Sequence, residues 1–142
     1  MIYFLDTSAL VKRYLSEPGS TEVRRLFARQ RTVAASRLAH PELVASTVRM
    51  WREGRLAQAR RDEILAEIPV CLAQLDLVVE VRGPLLTQTT ELLLRRALRA
   101  YDAVQLGSAL QLKASGAVDF WSADARLVDA ARAEGLRATR VG

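Results

Sequence analysis

The 142-residue sequence holds one cysteine, Cys71, one histidine, His40, and only two lysines, Lys12 and Lys113. A single cysteine excludes an internal disulfide and a thiolate metal cluster. A single histidine with no partner of the His/Cys type excludes the usual zinc donor set. No apolar run approaches the ~20 residues that a membrane-spanning helix needs. The opening segment lacks a basic leader, and Asp6 interrupts its apolar stretch too early for a signal peptide, so a cytoplasmic location is expected. There is no linker, repeat or low-complexity segment, and the expected organisation is one domain over residues 1–142.

Half the residues are hydrophobic and 26% are charged, an ordinary globular balance with enough length for a real core. The net charge of +5 comes almost wholly from arginine, which supplies the other nineteen basic residues. Cationic side chains neutralise phosphates and release counterions. Charge therefore permits a nucleic-acid partner without establishing one.

The periodicity predicts alternating strands and helices. Ile2–Leu5 is a short buried strand, followed by a helix from about Ser8 to Leu15 that Pro18-Gly19 stops. Ser20 or Thr21 caps a second helix, and Thr32–Ser36 is a second strand. A third helix runs from Pro41 to about Glu53, ended by Gly54, and a fourth over Leu56–Ile68 until Pro69. Leu77–Val81 is a strand, closed by Gly83-Pro84. Helices follow at about Leu85–Leu98 and Asp102–Ala114. Val118–Trp121 is a strand, Ala125–Glu134 a helix capped by Gly135, and Arg137–Val141 a last strand. This alternation implies an α/β fold, with a mostly parallel central sheet and helices on both faces.

Four acids, Asp6, Glu42, Asp102 and Asp124, stand where helices begin. Asp6 directly follows the first strand and Asp124 lies just beyond Val118–Trp121. In open α/β sheets ligands bind beyond the carboxyl ends of the strands, so these two acids are expected at one sheet edge, with Glu42 and Asp102 on helices beside it. Gathered carboxylates repel and raise one another's pKa, which a divalent cation relieves. Each acid also has a plain structural reading. Asp6 and Asp124 suit N-caps, and Glu42 and Asp102 suit first-turn acids facing a helix dipole.

The surrounding motifs carry a resemblance. Phe4-Leu5-Asp6-Thr7-Ser8-Ala9-Leu10 is an apolar strand ending in Asp-Thr-Ser. Glu42 follows Ser36-Arg37-Leu38-Ala39, Asp102 lies in Leu98-Arg99-Ala100-Tyr101-Asp102-Ala103-Val104-Gln105-Leu106, and Asp124 in Phe120-Trp121-Ser122-Ala123-Asp124. In this order they resemble the PIN-domain ribonucleases, most closely the VapC-type toxins of toxin–antitoxin pairs. Gln105 stands where many relatives carry histidine, Ser122 replaces the commoner threonine, and His40-Pro41 before Glu42 is less usual.

The resemblance implies a single PIN-like domain and an Mg²⁺- or Mn²⁺-dependent endoribonuclease. In it a water activated by the carboxylate-bound metal cleaves RNA phosphodiester bonds. It implies that Asp6 and Asp102 bind the metal most directly, that Glu42 and Asp124 complete the shell, and that Ser8 and Ser122 support them from behind. It also implies an antitoxin protein partner and a homodimer through apolar helix faces such as those carrying Leu56, Ile64, Leu65 and Ile68. Arg13, Arg37, Arg99 and Arg126 are the candidates for gripping RNA phosphates. Trp51, Phe120 and Trp121 are able to stack on bases, but their apolar spacing assigns them to core or interface packing. Asp119 and Asp129 are auxiliary acids at most, with surface or cap roles favoured. Glu17 and Glu134 are among the acids read as solvated surface.

Two other functions fit parts of the chain. A haloacid-dehalogenase-type phosphatase also starts with an Asp after an apolar strand, but needs a second Asp where Ser8 stands. A catalytically silent PIN-like scaffold for RNA or protein would commonly have lost one of the four acids, and none is lost here.

Overall fold

β1 (Ile2–Leu5) is the middle strand of a five-stranded sheet ordered β3-β2-β1-β4-β5, with β2 at Thr32–Ser36, β3 at Leu77–Val79, β4 at Val118–Ser122 and β5 at Arg137–Arg140. The computed structural model describes residues 1–142. Every pairing is parallel, with Leu5 opposite Trp121 and Ser36 opposite Val79. The expected sheet is thus realised as wholly parallel. Its three inner strands are largely buried on both faces, as helical crossovers require.

Alternation along the strands divides the core in two. Ile2, Phe4, Ala34 and Phe120 face a cluster built with α5 (Gly83–Arg95), α6 (Ala100–Gln111) and α7 (Ala125–Ala133). Leu5, Val33 and Ala35 face the other way, onto α1 (Thr7–Leu10), α2 (Ser20–Ala28), α3 (Ala39–Arg52) and α4 (Gln58–Gln74). Phe4 and Phe120 stack across neighbouring strands, with ring centroids 5.7 Å apart. Gly54 and Gly135 follow α3 and α7 with φ of 72° and 80°, the left-handed geometry that ends helices cheaply.

Several boundaries differ from the sequence reading, each for a local reason. The first helix is one α-turn, Thr7–Leu10, continued by a 3₁₀ turn over Val11–Arg13. α3 begins two residues before Pro41, which sits in the first turn, where its missing N–H has no intrahelical acceptor to lose. α4 does not stop at Pro69 but runs to Gln74. Ile68, Cys71 and Leu72 are buried on both sides of the proline, and this anchoring outweighs the lost hydrogen bond. α5 and α6 each begin about two residues earlier than expected. The 3₁₀ turn Leu112–Ala114 forms the end of the second.

The helix face expected to support a homodimer is used inside the chain. Ile64 and Ile68 are fully buried in the second core, and Leu56 and Leu65 pack against it. Three exposed leucines, Leu86, Leu93 and Leu94, lie on α5, while α4 exposes Val70.

Candidate active site

The carboxyl edge of the parallel sheet opens into a cleft of about 730 Å³, and Asp6, Glu42, Asp102 and Asp124 all line it. The topology explains the convergence. β1 and β4 are neighbours, so Asp6 and Asp124 leave the same edge of the sheet. Glu42 and Asp102 enter from the first turns of α3 and α6.

Asp6 caps α1. Its Oδ1 accepts hydrogen bonds from the Ala9 N–H (2.9 Å) and the Ser8 hydroxyl (2.7 Å), and its Oδ2 accepts from the Ser122 hydroxyl (2.6 Å). Burial pushes the carboxyl up to about 6. The three donors restrain the rise, and the charge of Asp102 adds to it. Asp102 is also raised, first by burial and then by Asp124, against the pull of Arg99 and Arg126. Asp124 caps α7 through the Arg126 N–H at 2.8 Å, and its own N–H donates to the Ser122 hydroxyl at 3.0 Å. The two cap geometries and the cleft thus coincide in the same side chains.

Glu42 is held differently. Its Oε1 accepts from the Thr7 hydroxyl at 3.0 Å and from the Gln105 side-chain amide at 2.7 Å. The same amide also donates to Thr7 Oγ1 at 3.0 Å. Gln105 is buried, and its Oε1 has no partner. Thr7 and Gln105 were not singled out for a role in the sequence, although Gln105 lies one turn beyond Asp102 and so faces the same side of α6.

The arginines divide sharply. Arg99 and Arg126 line the cleft, as do Arg49 and Arg55, which the sequence did not point to. Arg49, Arg99 and Arg126 form no ion pair, whereas Arg55 pairs with Glu53. Arg13 is elsewhere: it lies over the Phe27 ring at 4.1 Å and donates to Cys71 Sγ and Gln74. Arg37 is engaged by Glu80 at 2.6 Å. Neither lines the cleft. Asp119 is buried, tied to Thr139 and Arg137 rather than exposed. Asp129 is exposed beside Arg132. Among the acids read as solvated surface, Glu17 is exposed as expected but lines the cleft in a pair with Lys12, whereas Glu134 is mostly buried between Arg95 and Arg96.

The donor set is carboxylate and hydroxyl oxygen, with no sulfur or imidazole. That chemistry suits a hard cation such as Mg²⁺ or Mn²⁺. As the side chains stand, no three acids converge tightly enough to enclose an ion. Mg²⁺ keeps several waters and uses only one or two protein carboxylates, so the open spacing fits it. Asp6 and Asp102 are raised chiefly by burial, and a nearby cation would favour their charged forms.

The family model of the PIN domain matches residues 3–133. The chain belongs to the PIN-domain family. This PIN domain is 36% identical, over 96% of its length and 93% of the relative's, to Ribonuclease VapC49 of Mycobacterium tuberculosis. Its fold matches the crystal structure of VapBC2 from Rickettsia felis, bound to a DNA fragment from their promoter, with a TM-score of 0.69 at 16% identity. That match covers 99% of this chain and 98% of the other. Mycobacterium tuberculosis VapC20, described as a sarcin-ricin loop cleaving toxin, matches with a TM-score of 0.66 at 21% identity over 97% and 98% of the two chains. No helix of this PIN domain is long and apolar enough to cross a membrane.

Proposed function

We propose that this PIN domain is an Mg²⁺- or Mn²⁺-dependent endoribonuclease and the toxin of a VapBC-type pair. One observation carries the reading: Asp6, Glu42, Asp102 and Asp124, scattered over the sequence, line a single cleft together with three arginines, Arg49, Arg99 and Arg126, that have no acidic partner. The 36% identity to a protein named as a ribonuclease supports the reaction class.

In this reading Asp6 and Asp102 hold the cation, and Ser8 and Ser122 fix the orientation of Asp6. When bound, the cation neutralises charge on the scissile phosphate and makes an attacking water more acidic. Glu42 and Asp124 accept hydrogen bonds from that water and aim it at phosphorus. The water oxygen bonds to phosphorus as the bond to the ribose oxygen breaks, and the proton that the water gives up is balanced by one gained by the departing oxygen. Arg99 and Arg126 hold the phosphate oxygens.

A chain of the VapBC2 structure shares this fold, which supports an antitoxin protein as the partner. A homodimer belongs to the same reading, and the outer face of α5, with Leu86, Leu93 and Leu94, offers an apolar surface for a partner.

Purified transfer and ribosomal RNA, incubated with Mg²⁺ or Mn²⁺ beside an EDTA control and the Asp6→Asn variant, tests the proposal. Discrete cuts by the metal-loaded parent alone are expected. Equal cutting by Asp6→Asn would sink the site assignment. Absence of both cutting and carboxylate-dependent Mn²⁺ binding would favour a silent scaffold.

A further inference from the structure

The protein has eight aromatic side chains, and seven are covered. Phe4, Phe120 and Tyr14 are buried, and Tyr3 and Trp121 pack edge to face at 5.8 Å. Arg13 lies over Phe27, and Arg61 lies over Trp51, each at 4.1 Å. Trp51, Phe120 and Trp121, the three considered above for stacking, are therefore all engaged within the fold. Tyr101 is the exception. Its relative exposure is 62%, and it is the one aromatic residue lining the acidic cleft.

Its place on α6 determines what it can meet. Tyr101 and Gln105 are four residues apart and share one helix face. Gln105 is on the cleft floor, bonded to Glu42, so Tyr101 stands one turn above the floor, at the mouth. Asp102 is the next residue in the chain, and Arg99 and Arg126 line the same cleft. An exposed ring between unpaired cations and a cluster of acids has nothing to pack on in the protein. It has the right chemistry for a nucleobase whose phosphate the arginines hold.

We propose that Tyr101 is the base-stacking platform of this cleft, the side chain that engages an unpaired base beside the scissile phosphate. The inference rests on the ribonuclease reading and adds a base-contacting residue to it. Tyr101 and Asp102 line the same cleft, so a base on the ring and a phosphate near Asp102 belong to one short stretch of strand. A base within a duplex is already stacked on both faces and cannot reach the ring without being extruded. Tyr101 thus selects for loops and single strands.

The test is binding of a labelled single-stranded RNA oligonucleotide and of the same sequence closed in a duplex. It is run in EDTA so that no strand is cut, with the parent, Tyr101→Ala and Tyr101→Trp. The alanine variant should bind the single strand about 5- to 150-fold more weakly, the range that one base stacked on an aromatic side chain contributes. Its duplex affinity should be unchanged. The tryptophan variant should keep the affinity, and its added indole fluorescence should be quenched by the single strand beyond any quench in the parent. Unaltered single-strand affinity in Tyr101→Ala would overturn the proposal and make Tyr101 a protein contact. Equal losses for both RNAs would overturn it as well. If the parent still cuts RNA with Mn²⁺ in either case, the ribonuclease reading survives. A parent that neither binds nor cuts RNA would remove both.

Discussion

Ser122 donates its hydroxyl to Asp6 Oδ2 at 2.6 Å across 116 residues of chain. The bond follows from register. Leu5 and Trp121 lie opposite each other in β1 and β4, and the residues after them are Asp6 and Ser122. The Asp6 N–H donates to the Trp121 carbonyl at 3.1 Å and secures the junction. Three donors on one buried carboxylate restrain its pKa rise but do not cancel it, because desolvation is the larger effect.

Asp6 should make the metal-free fold less stable as pH rises. Its carboxyl titrates at 3.8 when unperturbed and at about 6 in the fold. Between those values the folded state holds a proton that the unfolded state has released, so stability falls through that window and is level above it. Each pKa unit corresponds to ~1.4 kcal/mol, which puts the whole effect on the order of 3 kcal/mol. Asp6→Asn should therefore stabilise the protein at pH 7 by about 1–3 kcal/mol in EDTA and flatten that slope. Urea denaturation at pH 4 and 7 measures both. Mn²⁺ should raise the unfolding temperature of the parent and leave Asp6→Asn unmoved.

Gln105 should matter to the reaction more than to the fold. Its amide holds Glu42 at 2.7 Å while its own Oε1 is buried without a partner. Gln105→Leu removes both the useful donor and the unsatisfied acceptor, so the two effects on stability oppose each other. RNA cleavage should fall about 10- to 100-fold, as when a supporting residue behind a metal site is lost. A variant that unfolds easily but retains its turnover would contradict this assignment.

Glu134 ties the end of α5 to the end of α7. It accepts from Arg95 and Arg96, each at 2.9 Å, and those hydrogen bonds, Arg95 first, hold its carboxyl down to about 2. The folded value lies below the ordinary 4.5, so the stabilisation is present above pH 4.5 and is lost as pH falls toward 2. Glu134→Gln should cost about 1 kcal/mol at pH 7, allowing for the exposure of Arg95. The cost should vanish in acid, which thermal melts at pH 7 and pH 2.5 would register.

Pro69 should prove an avoidable cost. It is exposed inside α4, where proline removes a hydrogen bond and crowds the preceding turn by ~3 kcal/mol in an ideal helix. Pro69→Ala should raise stability by about 1 kcal/mol or more, with RNA cleavage unchanged. A lower denaturation midpoint would contradict this reading.

Much of the architecture was legible before any coordinates. The apolar run Ile2–Leu5 and the alternation of strands and helices carry their own periodicity, and local sterics act within a few residues. The four acids were legible for the same reason, since each belongs to a short motif at a helix start. Pro69 misled because its penalty is local while the burial of Ile68, Cys71 and Leu72 that overrides it is not. Ile64 and Ile68 misled in the same way: an apolar stripe does not say whether it faces a partner or the chain's own core.

The sequence by itself determined that strands and helices alternate, and that Asp6, Glu42, Asp102 and Asp124 each begin a helix. Ser8, Ser122, Arg99 and Arg126 were expected beside the acids, but only the tertiary structure decided which atoms meet: Ser122 on Asp6 Oδ2, Gln105 and Thr7 on Glu42, and Tyr101 at the mouth. It also diverted Arg13 and Arg37 to other partners. The physical reason is range. Backbone preference and capping are settled between neighbours in sequence, whereas burial, charge coupling and long-range hydrogen bonds depend on which strands lie side by side.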